Sequence, residues 1–180
     1  MKTNKLFDSL RAFTAACAIL FVVPSYAQKS LKLSDPEIAS VAVVANQIDI
    51  NAGELAKTKT KDKEVVNFAN TMFNDHKAVI NQASALVTKL HVTPKDNALS
   101  KKLNAQAKAT VNMLKAKSGK AFDKAYINNE VAYHKAVIST VETTLIPQTQ
   151  NQELKQLLQN VLPALRTHLE HAEMVQKSYK

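Results

Sequence analysis

Residues that stop a helix are scarce in this chain, and that scarcity limits its fold more than any single motif does. Two glycines and five prolines are spread over 180 residues. Between them apolar residues recur every three or four positions, the spacing of an amphipathic helix. No stretch alternates apolar and polar as a half-buried strand does. Few turns and long periodic runs predict an all-α protein.

Five helices are expected. Ser34-Asp35-Pro36-Glu37 combines a capping residue, a first-turn proline and a first-turn acid, and predicts a helix over about 36–58. Ala42, Ala45, Ala52, Gly53 and Ala56 give it a narrow face of small side chains, with Asp49 the one charge on that strip. A second helix is predicted over 62–90, and at ~100° per residue His76 falls near the middle of its stripe of Val65, Ala69, Met72, Ile80 and Val87. A shorter, more polar helix covers 97–117. The fourth, over 120–145, carries Ile127, Glu130, His134, Val137 and Val141 on one face. The last, over 151–178, carries Leu154, Leu158, Leu165, His168 and Ala172, with Pro163 inside it, where the missing amide hydrogen predicts a kink. With the 97–117 helix as a crossover, the second and fourth helices run parallel. The expected architecture is then an up-down-down-up four-helix bundle with an additional shorter crossover helix, the connectivity of ferritin-like folds.

Three of the five histidines therefore sit on core-facing stripes of three different helices. A polar ring on such a stripe is costly without a partner. His76, His134 and His168, with Asp49 from a fourth helix, offer the nitrogen and oxygen donors that first-row metals accept, and these four are the candidate metal ligands. The set suits copper or zinc better than ferritin-type iron, whose carboxylate-rich sites need a Glu-x-x-His that occurs nowhere here. A purely structural hydrogen-bonded cluster is the competing reading. Counted along straight helices, the four residues fall at levels ~8–10 Å apart, so one shared site and two half-sites are both compatible with the spacing. Glu130, one turn before His134, is placed to ligate or orient it. Asp75 points sideways, where it can support the site by meeting a neighbouring helix, but it is expected to pair with a surface lysine. His171 lies on the flank of its stripe, and His91 closes the second helix, where a cation suits the dipole. No catalytic triad, phosphate loop or His-Glu-x-x-His is present. A metal-dependent redox enzyme is the enzymatic alternative, and the missing carboxylates argue against it.

The N-terminus reads as an export signal. Lys2, Lys5 and Arg11 precede an apolar run from Ala12 to Val23, and Ser25-Tyr26-Ala27 provides small residues for a cut after Ala27. The domain expected to remain is 28–180, periplasmic or secreted. The run is short for a membrane span, and no span is expected in the processed chain. Cys17, the one cysteine, falls inside the removed segment. Removing Lys2, Lys5, Arg11 and Asp8 leaves a surplus of seven positive charges, which favours anionic envelope components as partners. Ten aromatics and no recognition motif argue against nucleic acid.

Several segments together resemble the domain-of-unknown-function 4142 family. They are Asp49-Ile50-Asn51-Ala52-Gly53-Glu54-Leu55-Ala56, Met72-Phe73-Asn74-Asp75-His76, Ser118-Gly119-Lys120-Ala121-Phe122-Asp123-Lys124-Ala125-Tyr126, His134, and Leu162-Pro163-Ala164-Leu165-Arg166-Thr167-His168-Leu169. The resemblance covers about residues 34–176 and implies a ferritin-like helical fold in an exported or outer-membrane protein of no established activity. This chain departs from the family pattern in three places. Asp49 stands where Glu is usual, Tyr133 precedes His134 where an acid is common, and Thr167 precedes His168 where Glu is common. The reading at this point is an exported helical bundle with an internal His/Asp cluster that takes a metal or small ligand. The alternative is a structural or stress-related envelope protein whose basic surface meets anionic polymers.

Overall fold

The computed structural model describes residues 32–179, and the predicted export signal lies outside them. All regular structure among the described residues is helical: α1 (Asp35–Lys59), α2 (Lys63–Lys89), α3 (Ala98–Lys115), α4 (Gly119–Thr140), α5 (Ile146–Gln148) and α6 (Gln152–Lys177). A π-helical turn, Val141–Leu145, joins α4 to α5. None of these helices is long and apolar enough to cross a membrane.

Local chemistry sets the ends. Ser34 and Glu37 form a reciprocal capping box at α1, and Asn97 and Ser100 form another at α3. The Asp62 carboxylate accepts from the Glu64 and Val65 amides, and the Asn151 side chain accepts from those of Glu153 and Leu154. His91 ends α2 in the left-handed region, at φ 52°, while the Val92 amide reaches back to the Val87 carbonyl. That is the bond pattern of a Schellman cap, usually built on glycine. Pro163 lies inside α6, and the helix continues through it. Pro163 and Gln159, whose carbonyl loses its amide partner, are both exposed, so water can satisfy the gap.

Hydrogen bonds between elements set the helix directions. At one end, here the base, Asp35 accepts from the Gln150 and Asn151 amides at 2.9 and 2.8 Å, and the Leu33 amide donates to Gln148 Oε1. The Lys95 amide and Asn97 Nδ2 bond to the Pro36 and Glu37 carbonyls there. At the top, Lys59 Nζ donates to the Lys115 carbonyl. α1, α3 and α6 therefore leave the base, and α2 and α4 return to it. α1 packs along α2 and α4 along α6; α2 meets α6, α1 meets α4, and α3 lies on α1 and α4.

Two apolar clusters line the interior. The upper is built on Phe68, Met72, Phe122, Tyr126 and Ile127, and the lower on Ile38, Val41, Ile138, Leu145 and Leu158. Between them lies a layer of charged and polar side chains. The small-residue strip of α1 explains the close approach of α2: a Cβ on Gly53 would stand 2.9 Å from the Ala69 carbonyl oxygen. Gly53→Ala should therefore lower stability by about 1 kcal/mol in urea denaturation, because overpacking against backbone outweighs the helix-propensity gain of about 1 kcal/mol. A stabilised variant would mean that α1 and α2 do not touch there.

Candidate metal centre

Each helix of the four-membered ring contributes to the polar layer. Asp49 comes from α1, His76 from α2, Glu130 and His134 from α4, and His168 from α6. All five are at most 5% exposed. The imidazole centroids form a nearly equilateral triangle, with sides of 5.2, 5.6 and 5.8 Å. Three imidazoles on one ion, at a metal–nitrogen distance of ~2.0–2.1 Å, place their centroids ~5–5.5 Å apart. The triangle has the size such a site needs.

The level difference expected from residue counting is closed by the direction of the side chains. A helical side chain leans toward the N-terminus of its own helix. Asp49 and His168, on helices that rise from the base, lean down. His76, Glu130 and His134, on helices that descend, lean up. The result is one polar layer holding two three-residue groups that share His134. His76, His134 and His168 each bring one donor atom within 4.8 Å of the others, and Asp49, Glu130 and His134 form a second such group.

Every ring is fixed on one side and open on the other. Asn46 Nδ2 donates to the Ala42 carbonyl, so its Oδ1 faces His76 and accepts from Nδ1 at 2.8 Å. His134 Nδ1 donates to the Glu130 backbone carbonyl at 3.0 Å. His168 Nε2 donates to Asp75 Oδ2 at 2.9 Å. The remaining nitrogens, Nε2 of His76, Nε2 of His134 and Nδ1 of His168, are buried without a hydrogen-bond partner, as are Asp49 Oδ1 and Glu130 Oε2. Rings held through one nitrogen by a carbonyl, amide or carboxylate, with the other nitrogen free, are what metal-ligating histidines present.

Electrostatics agree with the geometry. Burial pushes His76 down to about 3, and the nearness of His134 and His168 adds to the shift. Burial also lowers His134 to about 4, against the hydrogen bond to the Glu130 backbone. Both rings are thus neutral and keep a lone pair at ordinary pH. Burial, then the neighbouring Glu130 charge, hold Asp49 well above the usual carboxylate range. Burial raises Glu130 to about 7, against hydrogen bonds with Asp49 and Asn129. Two adjacent carboxyls that resist ionising together form a site to which a cation restores both charges.

Asp49, His76, His134 and His168, singled out from the sequence, all meet here. Glu130, expected to ligate or orient His134, belongs to the layer itself. Asp75 does not pair with a surface lysine as expected; it is half exposed and spends its carboxylate on His168. Asn46, which orients His76, carried no sequence signal beyond its place one turn before Asp49 and Ile50 on α1. Tyr126, fully buried with no partner for its hydroxyl, borders the carboxylate side, where burial and then the Glu130 and Asp49 charges raise it far above its normal range.

A family model described as "Domain of unknown function (DUF4142)" matches residues 22–175, and the chain belongs to that family. No curated protein and no solved structure matches it.

The buried groups predict an unusual pH profile for the metal-free protein. Below about pH 6.5 the unfolded chain protonates His76 and His134 and the native state does not, so acid costs stability. Over the same range the native state keeps protons on Asp49 and Glu130 that the unfolded chain releases, so acid adds stability. The two effects cancel to about pH 4.5, giving a plateau; below that the unfolded carboxyls protonate too, and stability falls. Glu130→Gln leaves one imidazole proton uncompensated, and its profile should slope by about 1.4 kcal/mol per pH unit from near pH 6.5. Parallel wild-type and variant profiles in urea titrations with chelator would contradict this.

Proposed function

We propose that this member of the family is an exported, ferritin-like up-down-down-up bundle that binds one divalent transition metal in its polar layer. The observation that carries the reading is the set of three buried imidazole nitrogens, each opposite a fixed hydrogen bond, gathered into one donor group that shares His134 with a second group of Asp49 and Glu130. Three imidazoles and one or two carboxylates, with no sulfur among them, favour zinc or copper(II) over ions that prefer all-oxygen shells. His76, His134 and His168 supply the nitrogen face, and Asp49 and Glu130 supply anionic charge. The binding energy holds all four helices of the ring at once, so the ion acts as a cross-link within the fold.

Export rests on the n-region, apolar run and Ala27 cut. The surplus of positive charge supports contact with anionic envelope components such as lipid headgroups. Both are part of the proposal, and neither depends on the metal.

Elemental analysis after incubation with zinc or copper(II) and desalting should find about one ion per chain. His76→Ala and His168→Ala should each lose it. The informative variant is Asp75→Asn. Asp75 is half exposed and touches the site only through His168 Nε2, so the fold should tolerate the change while metal affinity falls 10–100-fold. Wild-type protein that retains no ion, or Asp75→Asn with wild-type affinity, would contradict the proposal.

A further inference from the structure

Below the polar layer the bundle is not filled. A cavity of about 400 Å³ opens among α1, α2, α3, α4 and α6. Its walls are mostly apolar, with Val79, Val87, Val141, Leu158 and Val161 among them, and its upper end is formed by Asp49, His76 and His168. Glu130 and His134 do not line it. The donor layer thus presents one face to an apolar chamber.

The packing contrast supports a chamber built to be occupied. In the upper cluster Ala56, Val65, Phe68, Ala69, Met72 and Phe122 are wholly inaccessible to solvent; in the lower cluster Ile38 alone is. α3 shows why. Its buried residues are Ser100 and Leu114, close to its two ends, where the helix is pinned to α1. Leu103, Ala107 and Val111, the inner face of its middle, line the cavity and remain half-exposed. The helix bridges the chamber rather than plugging it. Protein interiors are otherwise packed nearly without voids, and apolar chambers of this size with polar groups at one end are ligand sites.

We infer that the chamber binds a medium-chain carboxylic acid, its hydrocarbon tail running down from the polar layer and its carboxylate completing the coordination of the bound metal. The occupant's length follows from the walls. From His76 to Val87 on α2 is eleven residues, or ~16 Å at ~1.5 Å each. A methylene chain advances ~1.3 Å per carbon, so about twelve carbons span that distance. The head must be a metal ligand. A free carboxylate buried there loses its hydration with no cation beside it, whereas one bound to the ion shares its charge. The inference therefore rests on the metal reading.

The test is calorimetric titration of sodium dodecanoate into the zinc-loaded chain after free zinc is removed, with octanoate and dodecanol for comparison. The expected result is one dodecanoate per chain, bound roughly 100-fold more tightly than octanoate for its four extra methylenes. Dodecanol, or dodecanoate with metal-free protein, should bind at least tenfold more weakly than dodecanoate with the zinc form. Ala107→Phe narrows the chamber from α3 without touching the polar layer; it should weaken dodecanoate at least tenfold and leave zinc content unchanged. The chain-length series tests the tail even if that variant folds poorly. Zinc uptake without dodecanoate binding overturns this inference and leaves the metal site standing. Equal binding of acid and alcohol, or of both protein forms, overturns the coordinated head. Absence of zinc uptake overturns the metal reading itself and is read separately by elemental analysis.

Discussion

Each of the three core imidazoles commits one nitrogen to a fixed acceptor and turns the other into the interior without a hydrogen-bond partner, that of His76 at 3.4 Å from Asp49 Oδ2. Asp49 and Glu130 bring further unmet oxygens to the same layer. A buried polar group left without a partner costs ~1–3 kcal/mol. Five together amount to a cost on the order of the whole net stability of a domain. A metal ion held here would offset part of that cost, because it would accept lone pairs that otherwise face one another. The same ion would offset the burial, and the repulsion added to it, that keep Asp49 and Glu130 from ionising together. The polar layer and the metal are two sides of one physical argument.

The rest of the bundle is arranged around that layer. Above it, the small-residue strip of α1 lets α2 approach to backbone contact at Gly53, and the aromatic residues of α2 and α4 fill the space completely. Below it, the π-helical turn after α4 carries Val141 and Leu145 into the wall of a chamber, and α3 spans the chamber between two pinned ends. Tight packing on one side and an apolar space on the other give the donor layer a closed back and an open front. Rigid support with an accessible face is what a ligand-accepting metal site requires.

Much of this was legible in the sequence, for local reasons. Helix ends are set by caps and breakers a few residues long, so Ser34, Asp62, Asn97 and Asn151 mark starts that the structure keeps within a residue or two. Helical periodicity alone puts His76, His134 and His168 inward. What periodicity does not carry is partnership across helices. Asp75 lies on the side of its helix and reads as a surface acid until α6 brings His168 to it. Asn46 reads as one more polar residue on α1 until His76 arrives. Counting Cα positions left one shared site and two half-sites both open; the structure has two three-residue groups joined through His134, which the count did not show. The helix after His134 was expected to stop at Leu145, ahead of Pro147. It instead passes through a π-helical turn, and Pro147 sits inside the short helix beyond, where its lack of an amide hydrogen costs little. A chamber is the least legible feature, since it depends on what five helices jointly leave unfilled.

At the heart of this account, rings from three separate helices bind one ion through nitrogen. X-ray absorption at the zinc edge of the loaded protein tests that most directly. The account predicts a first shell at ~2.0–2.1 Å with the multiple-scattering signature of three imidazoles, completed by oxygen. A shell of oxygens alone, with no imidazole scattering, would contradict it.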